Sequence, residues 1–191
     1  MLSRTRCAAM MVLACITSSV PNAVAQPTPL LQPRSATTVI HDLIANAEKQ
    51  LTGIANEMPA DKYNFAPTNG EFRGVRTFAK QVKHAAAFQY LVAASILEEP
   101  ITADIADERG PDSVKTKAEI LSYLKESFVS LKRAASTIDD KNAFSPIKGV
   151  SGSRPETRLG LIVGAMSHSS NHYGQIVEYL RINGLIPPGS Q

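Results

Sequence analysis

The sequence predicts an all-α protein, a four-helix bundle with long connections between its helices. Three observations carry this. Four stretches repeat apolar residues at steps of three and four, the spacing that gathers them on one face of a helix. Two of those stretches open with the residue pattern of a capping box. No stretch of useful length alternates apolar and polar residues as a half-buried strand does. At 191 residues, 43% hydrophobic and 19% charged, the chain suits one domain with one core and excludes disorder or a fibre.

The segment ahead of the first helix has a different design. Arg4 and Arg6 precede Cys7–Ile16, an unbroken run of small and apolar residues too short to stay in a bilayer as a span. Ala23-Val24-Ala25 then supplies the small-x-small pattern a signal peptidase accepts. Residues 1–25 are therefore expected to be a secretory signal peptide cleaved after Ala25, with the product periplasmic or secreted. Leu13-Ala14-Cys15 partly resembles a lipobox, which would instead make a lipoprotein at Cys15, but its apolar region would be very short. Residues 26–35, with three prolines by Pro33, read as a flexible tether, and 36–191 as the bundle domain.

Cleavage rewrites the composition. Removing 25 of 191 residues leaves 166 and no cysteine, so a disulfide framework or a catalytic thiol is excluded for the product. Two of the 20 basic residues go while all 17 acids stay, which takes the formal charge from +3 to +1. No run of five or more basic residues is left, so the footprint of a nucleic-acid binder is missing.

In the first helix, Ile40, Ile44, Ala47, Leu51, Ala55 and Met58 share a stripe that Pro59 ends. The second runs from about Thr77, an N-cap residue, to Glu98 before Pro100. The third opens at Thr116-Lys117-Ala118-Glu119 and carries Leu121, Leu124, Phe128, Leu131, Ala135 and Ile138 inward. The fourth is expected to open at Ser153-Arg154-Pro155-Glu156 and run to Asn183, with Gly184 in the left-handed position and Pro187-Pro188 beyond. Leu161, Ile162, Ala165, Met166, Ile176, Val177 and Leu180 cover much of its circumference, so it is expected to be the most buried helix. The Gly160–Gly164 GxxxG pair reads as close helix approach within the bundle, since flanking arginines and a polar centre rule out a membrane dimer and no stable span is expected after cleavage. The first two connections, at about 18 residues each, exceed the usual 2–8 of a bundle, and long loops in compact domains tend to serve function.

The chemistry lies in the histidines. His41 falls about 100° off the first stripe, beside Glu48 and Thr52, and reads as a solvated surface residue. His168 and His172, at i and i+4, stack on one helical face as two ligands of one metal must. Gly164 lies one turn earlier on that stripe, and Asn171 and Gln175 flank it as groups that could orient a ligand or a bound water. His84 shares an inward stripe with Phe88 and Leu91 on the second helix. A lone inward histidine is more often a satisfied core residue. Three unpaired imidazoles in one core are costly, and a shared divalent ion removes that cost. Three histidine ligands leave coordination positions open, the mark of a catalytic or exchangeable site.

His168-Ser169-Ser170-Asn171-His172-Tyr173-Gly174-Gln175, continuing through Tyr179-Leu180-Arg181-Ile182-Asn183-Gly184, closely resembles the C-terminal helix of the DinB-like family of DNA-damage-inducible bacterial proteins, which is distinct from the polymerase of that name. Tyr63-Asn64-Phe65-Ala66-Pro67, followed by Arg76-Thr77-Phe78 and His84, resembles the family's other signature, an aromatic loop leading into the helix with the first ligand. The resemblance covers about Val39 to Pro188, with no diagnostic residue between Pro100 and Ser153. It implies a four-helix bundle with a divalent metal, zinc or nickel, on His84, His168 and His172. It also implies kinship with thiol-dependent transferases and isomerases, although an exported chain sits apart from a cytosolic thiol. Tyr63 and Phe65 are expected at the pocket wall. The expectation that follows is an exported metal-dependent enzyme, a hydrolase or a thiol or group transferase, acting on a small molecule the sequence does not identify. The alternative is a non-catalytic metal-binding bundle. No acidic residue near the histidine stripes stands out as a general base, and the sequence leaves open whether the chain forms a homodimer.

Overall fold

A computed structural model describes residues 34–148, 150 and 155–190. The expected signal peptide, Cys15, residues 26–33 of the tether, and Ser153 and Arg154 of the fourth expected helix start lie outside the described residues. Among these residues five α-helices follow one another: α1 (Ala36–Glu57), α2 (Phe78–Leu97), the single turn α3 (Ala103–Ala106), α4 (Lys117–Ala135) and α5 (Arg158–Ile182). Two three-residue strands, β1 (Pro146–Lys148) and β2 (Pro155–Thr157), pair antiparallel with Ile147 opposite Glu156.

Each long helix starts where a side chain satisfies an otherwise orphaned backbone N–H. The Ser35 hydroxyl accepts from Thr38 N–H, and Thr77 accepts from Lys80 N–H. Thr116 and Glu119 complete both halves of the expected capping box. α5 departs from expectation: it begins at Arg158, capped by the Thr157 hydroxyl accepting from Gly160 N–H. Pro155 to Thr157 are spent on the strand pair instead, and three residues per strand are too few to display an alternating pattern.

The lengths of the first and last connections follow from how the helices are arranged. α1 packs on α4 and α5, and α2 packs on the same two. The chain neighbours α1 and α2 therefore occupy opposite corners, as do α4 and α5. A connection that crosses a bundle diagonal cannot be a two-residue turn.

Phe78, Phe128, Ile44, Ile54, Leu124, Leu131 and Ile162 fill the interior and are essentially inaccessible. The most buried helix is α2, not α5: 14 of its 20 residues are buried, against 8 of 25 in α5. Small residues at Ala85–Ala87 and Ala93-Ala94 let neighbours close around α2, whereas α5 turns Val163, Gly164, Asn171 and Gln175 outward. The close approach expected at Gly160–Gly164 is absent at Gly164, where an added Cβ would meet nothing within 4 Å. On α4 the buried stripe starts at Ile120, with Leu121 only half-buried. His41 is half-buried as well, its Nε2 3.2 Å from Ser136 Oγ, so it joins α1 to the end of α4. Among the described residues, no helix is long and apolar enough to cross a membrane.

Candidate metal centre

The aromatic loop after α1 fixes the start of α2. Phe78 N–H donates to Phe65 O and Ala79 N–H to Tyr63 O, each at 2.8 Å, so backbone carbonyls and Thr77 together close the first turn. Tyr63 belongs to the core rather than to a pocket wall: it is 3% exposed, donates its hydroxyl to Ala55 O at 2.7 Å, and meets Phe78 edge-on with ring centroids 5.1 Å apart. Burial pushes its phenol well above the ordinary range. Phe65 stands behind Tyr179, edge-on at 5.9 Å, and the Tyr179 hydroxyl donates to Arg76 O at 2.7 Å. This chain of contacts holds the start of α2 against the end of α5, which sets the relative height of the two helices that carry the histidines.

On that frame the three imidazoles converge. His168 Nε2 lies 3.1 Å from His84 Nε2 and 3.1 Å from His172 Nε2. One nitrogen from each ring falls within 4.8 Å of the others. Metal–nitrogen bonds of ~2.0–2.1 Å place neighbouring ligand atoms about 3–3.5 Å apart, so the two spacings from His168 suit one ion. The tautomer of His84 can be derived. Its Nδ1 is 2.9 Å from Glu108 O, and a carbonyl only accepts, so Nδ1 carries the proton and Nε2 points its lone pair at the other rings. Hydrogen bonds cannot satisfy both contacts, because His168 Nε2 faces the other two rings at once and a ring nitrogen carries either one proton or one lone pair. A cation among them resolves the conflict, and the donor set fits a divalent metal.

Burial lowers the basicity of all three rings. It takes His168 to about 3 and His172 to about 4, with the neighbouring imidazoles and Arg76 pushing the same way. His84 is lowered chiefly by burial, against the opposing pull of the Glu108 carbonyl. The rings are therefore neutral at physiological pH and hold lone pairs without having to shed a proton. Phe88 lies flat on His168, ring centroids 4.0 Å apart and 29° between planes, and shields that side.

Glu108 was not foreseen from the sequence. It sits at φ +53°, in the left-handed region, and besides its carbonyl it brings a carboxylate oxygen 3.5 Å from His84 Nδ1. Gly110 holds the same bend at φ +68°, where an added Cβ would come within 3.1 Å of the Tyr123 ring and 3.3 Å of Lys83 Cε. The Lys83 ammonium donates to Pro111 O at 2.6 Å and ties the bend to α2. The one local cue is Gly110-Pro111, a turn dipeptide; a ligand-backing carbonyl leaves no residue signature.

Beside the histidines lies a groove of about 770 Å3, lined in part by Phe72, Val75, Arg76, Gln81, Gln175 and Tyr179. Gln81 Nε2 donates to Gln175 Oε1 at 3.0 Å, and Gln175 lies against His172, where its amide favours the protonated ring in opposition to burial. Gln175 thus borders the cluster. Asn171 is exposed and accepts from Gln175 Nε2 at 3.4 Å.

The sequence profile of the DinB superfamily matches residues 43–176. A DinB-like protein from Bacillus cereus ATCC 10987 has a similar structure: TM-score 0.61, 14% identity, covering 80% of this chain and 95% of that one. A conserved protein from Enterococcus faecalis is similar at TM-score 0.58 and 16% identity, covering 77% of this chain and 96% of that one. At such identities the likeness is one of fold. No curated protein matches the chain.

Proposed function

The chain belongs to the DinB superfamily, and on that premise we propose that it is an exported metal-dependent enzyme, a hydrolase or a thiol or group transferase acting on a small molecule. The observation that carries the reading is the convergence of His84, His168 and His172 Nε2 at one point beside a groove. These three nitrogens are the ligands, and zinc and nickel are among the ions that imidazole donors suit. When bound, such an ion supplies a Lewis acid that polarises a substrate oxygen or acidifies a bound water or thiol. Glu108 holds His84 in the ligating tautomer, Phe88 covers one face of the His168 ring, and Gln81 with Gln175 brings amide groups to the groove lining. The acid in the groove lining, Glu178, is engaged with Arg181 at 2.9 Å. Residues 1–25 support export, and intact mass of the product from a cell-envelope fraction tests it: cleavage after Ala25 is expected, and an uncut chain in the cytosol would refute it.

The metal reading is tested on untagged protein. Stoichiometric zinc or nickel is expected by elemental analysis, and His168→Ala should remove it. No bound ion in wild type, with melting unchanged by His168→Ala, would refute the reading. Loaded protein is then screened for ester, amide and thiol-transfer turnover. Activity that survives loss of His84 defeats the catalytic version, and an ion without turnover leaves the non-catalytic bundle.

A further inference from the structure

The groove holds a charge pattern that points to its ligand. Two charged residues line it, Arg76 and Glu178. Glu178 is paired with Arg181, whereas among the described residues no carboxylate lies within ion-pair distance of Arg76. The backbone N–H groups at the start of α2, which would otherwise draw an anion away, are already taken by Phe65 O, Tyr63 O and the Thr77 hydroxyl. The Arg76 guanidinium is left as the group in the groove that recognises negative charge. Its backbone is anchored by the Tyr179 hydroxyl at 2.7 Å. A planar fork of N–H donors suits a carboxylate better than it suits a spherical anion.

A second observation is independent of charge. Gln81 is only 4% exposed, yet its Oε1 has no hydrogen-bond partner. Its other amide atom is committed to Gln175. A buried acceptor without a donor is costly, and this one belongs to a residue that lines the groove next to the histidines. A ligand N–H or O–H removes that cost. Phe72, at 40% exposure, and Ile182, at 56%, add exposed apolar surface to the groove lining. The groove volume lies within the range of about 300–1,000 Å3 typical of small-molecule sites.

We propose that the groove binds a small amphipathic monocarboxylate: the carboxylate on Arg76, the apolar body against Phe72 and Ile182, and an N–H or O–H donor on Gln81 Oε1 at the histidine end. The proposal rests on reading this region as a small-molecule centre and names the class of molecule. A single unpaired guanidinium selects one negative charge, the apolar walls disfavour short polar diacids, and the donor requirement disfavours simple fatty acids.

N-acetyl-L-leucine has all three features and serves as the probe. Its neutral counterpart, N-acetyl-L-leucinamide, lacks the charge, and the N-methylated acid lacks the donor. Each is titrated into the full chain and followed by backbone amide NMR, once after chelation and once after zinc loading, with zinc content measured on the same samples. The acid should shift resonances of residues 72–81 and 175–182 saturably and bind at least about tenfold more tightly than the leucinamide. Arg76→Gln should erase that preference while leaving weak leucinamide binding as it was, and Arg76→Lys should retain part of it, which guards against a folding defect. The N-methylated acid should bind several-fold more weakly than the parent. Equal affinity for acid and amide, an Arg76→Gln variant that keeps the preference, or no saturable shift at the groove overturns the proposal. Equal binding of the N-methylated acid overturns the role given to Gln81. Stoichiometric zinc without acid preference rejects this proposal and spares the metal reading, whereas Arg76-dependent binding without zinc does the reverse.

Discussion

α2 and α5 supply the same side chain to the same point, yet they hold it in different ways. His84 on α2 is fixed from behind, its Nδ1–H donated to Glu108 O at 2.9 Å and the helix around it buried on most sides. His168 and His172 on α5 have buried Nδ1 atoms with no protein acceptor, and the helix that bears them exposes Gly164, Asn171, Gly174 and Gln175. The contrast separates two tasks. One ring is oriented from behind by the fold itself, and the other two are placed by helical spacing, with no protein group on Nδ1 to fix their tautomer.

That asymmetry can be broken from either side. The largest effect is expected where α2 is anchored: Phe78→Ala, at a fully buried ring touching both Tyr63 and Tyr179, should cost about 3–5 kcal/mol in urea unfolding. Substitution of the ligands themselves should divide the helices in chelated protein. His84→Leu strands the Glu108 carbonyl and should cost about 1–3 kcal/mol, while His172→Leu removes a polar atom that had no partner and should change stability by less than about 1 kcal/mol. Both variants should lose stoichiometric metal by elemental analysis. Gly110→Ala forces a side chain onto a backbone at φ +68° and against the Tyr123 ring. About 1–2 kcal/mol of stability is expected to go with it, and roughly 10–100-fold in metal affinity by competition titration, because the bend that carries Glu108 shifts.

The pH dependence of chelated protein sharpens the same point. In the unfolded chain these imidazoles take up protons near 6.5, whereas in the fold burial holds His168 to about 3 and His172 to about 4. The unfolded state therefore binds more protons at intermediate pH. Stability should be fully present above about pH 6.5 and fall as the pH drops toward 4, and a double His168→Leu, His172→Leu variant should flatten that slope in thermal melts. The smallest effect belongs to the exposed face of α5. Gly174→Ala adds a Cβ that meets nothing within 4 Å and should raise stability by about 0.5–1 kcal/mol, leaving metal content unchanged.

The histidines were legible in the sequence because helical periodicity is a local property: i, i+4 puts His168 and His172 on one face wherever the helix lies, and the stripe with Phe88 turns His84 inward. Thr77 and the Thr116/Glu119 box were legible for the same reason, since a cap is made within four residues. Glu108 was not, because its contribution to His84 is a backbone carbonyl delivered across 24 residues by a left-handed bend. Tyr63 misled because an aromatic in a loop looks alike whether it lines a pocket or donates to Ala55 O. The start of α5 misled because Ser153 and Glu156 fit a capping box while the strand pair with residues 146–148 claims Pro155 to Thr157. The outward face of α5 was hidden too, since apolar content there was high and only the diagonal arrangement decides which side meets a neighbour.

That diagonal arrangement also bears on the order of assembly. α2 and α4 are the one pair of long helices that are adjacent both along the chain and in space. Their contacts close the shortest loop and are expected to form early, whereas α5 must return across the bundle to reach α2 and docks late. The histidine cluster joins residues 84 positions apart and exists only once α5 has docked. An ion held there would consequently leave the folding rate nearly untouched and act on the rate of escape, slowing unfolding as a latch on the last helix to arrive.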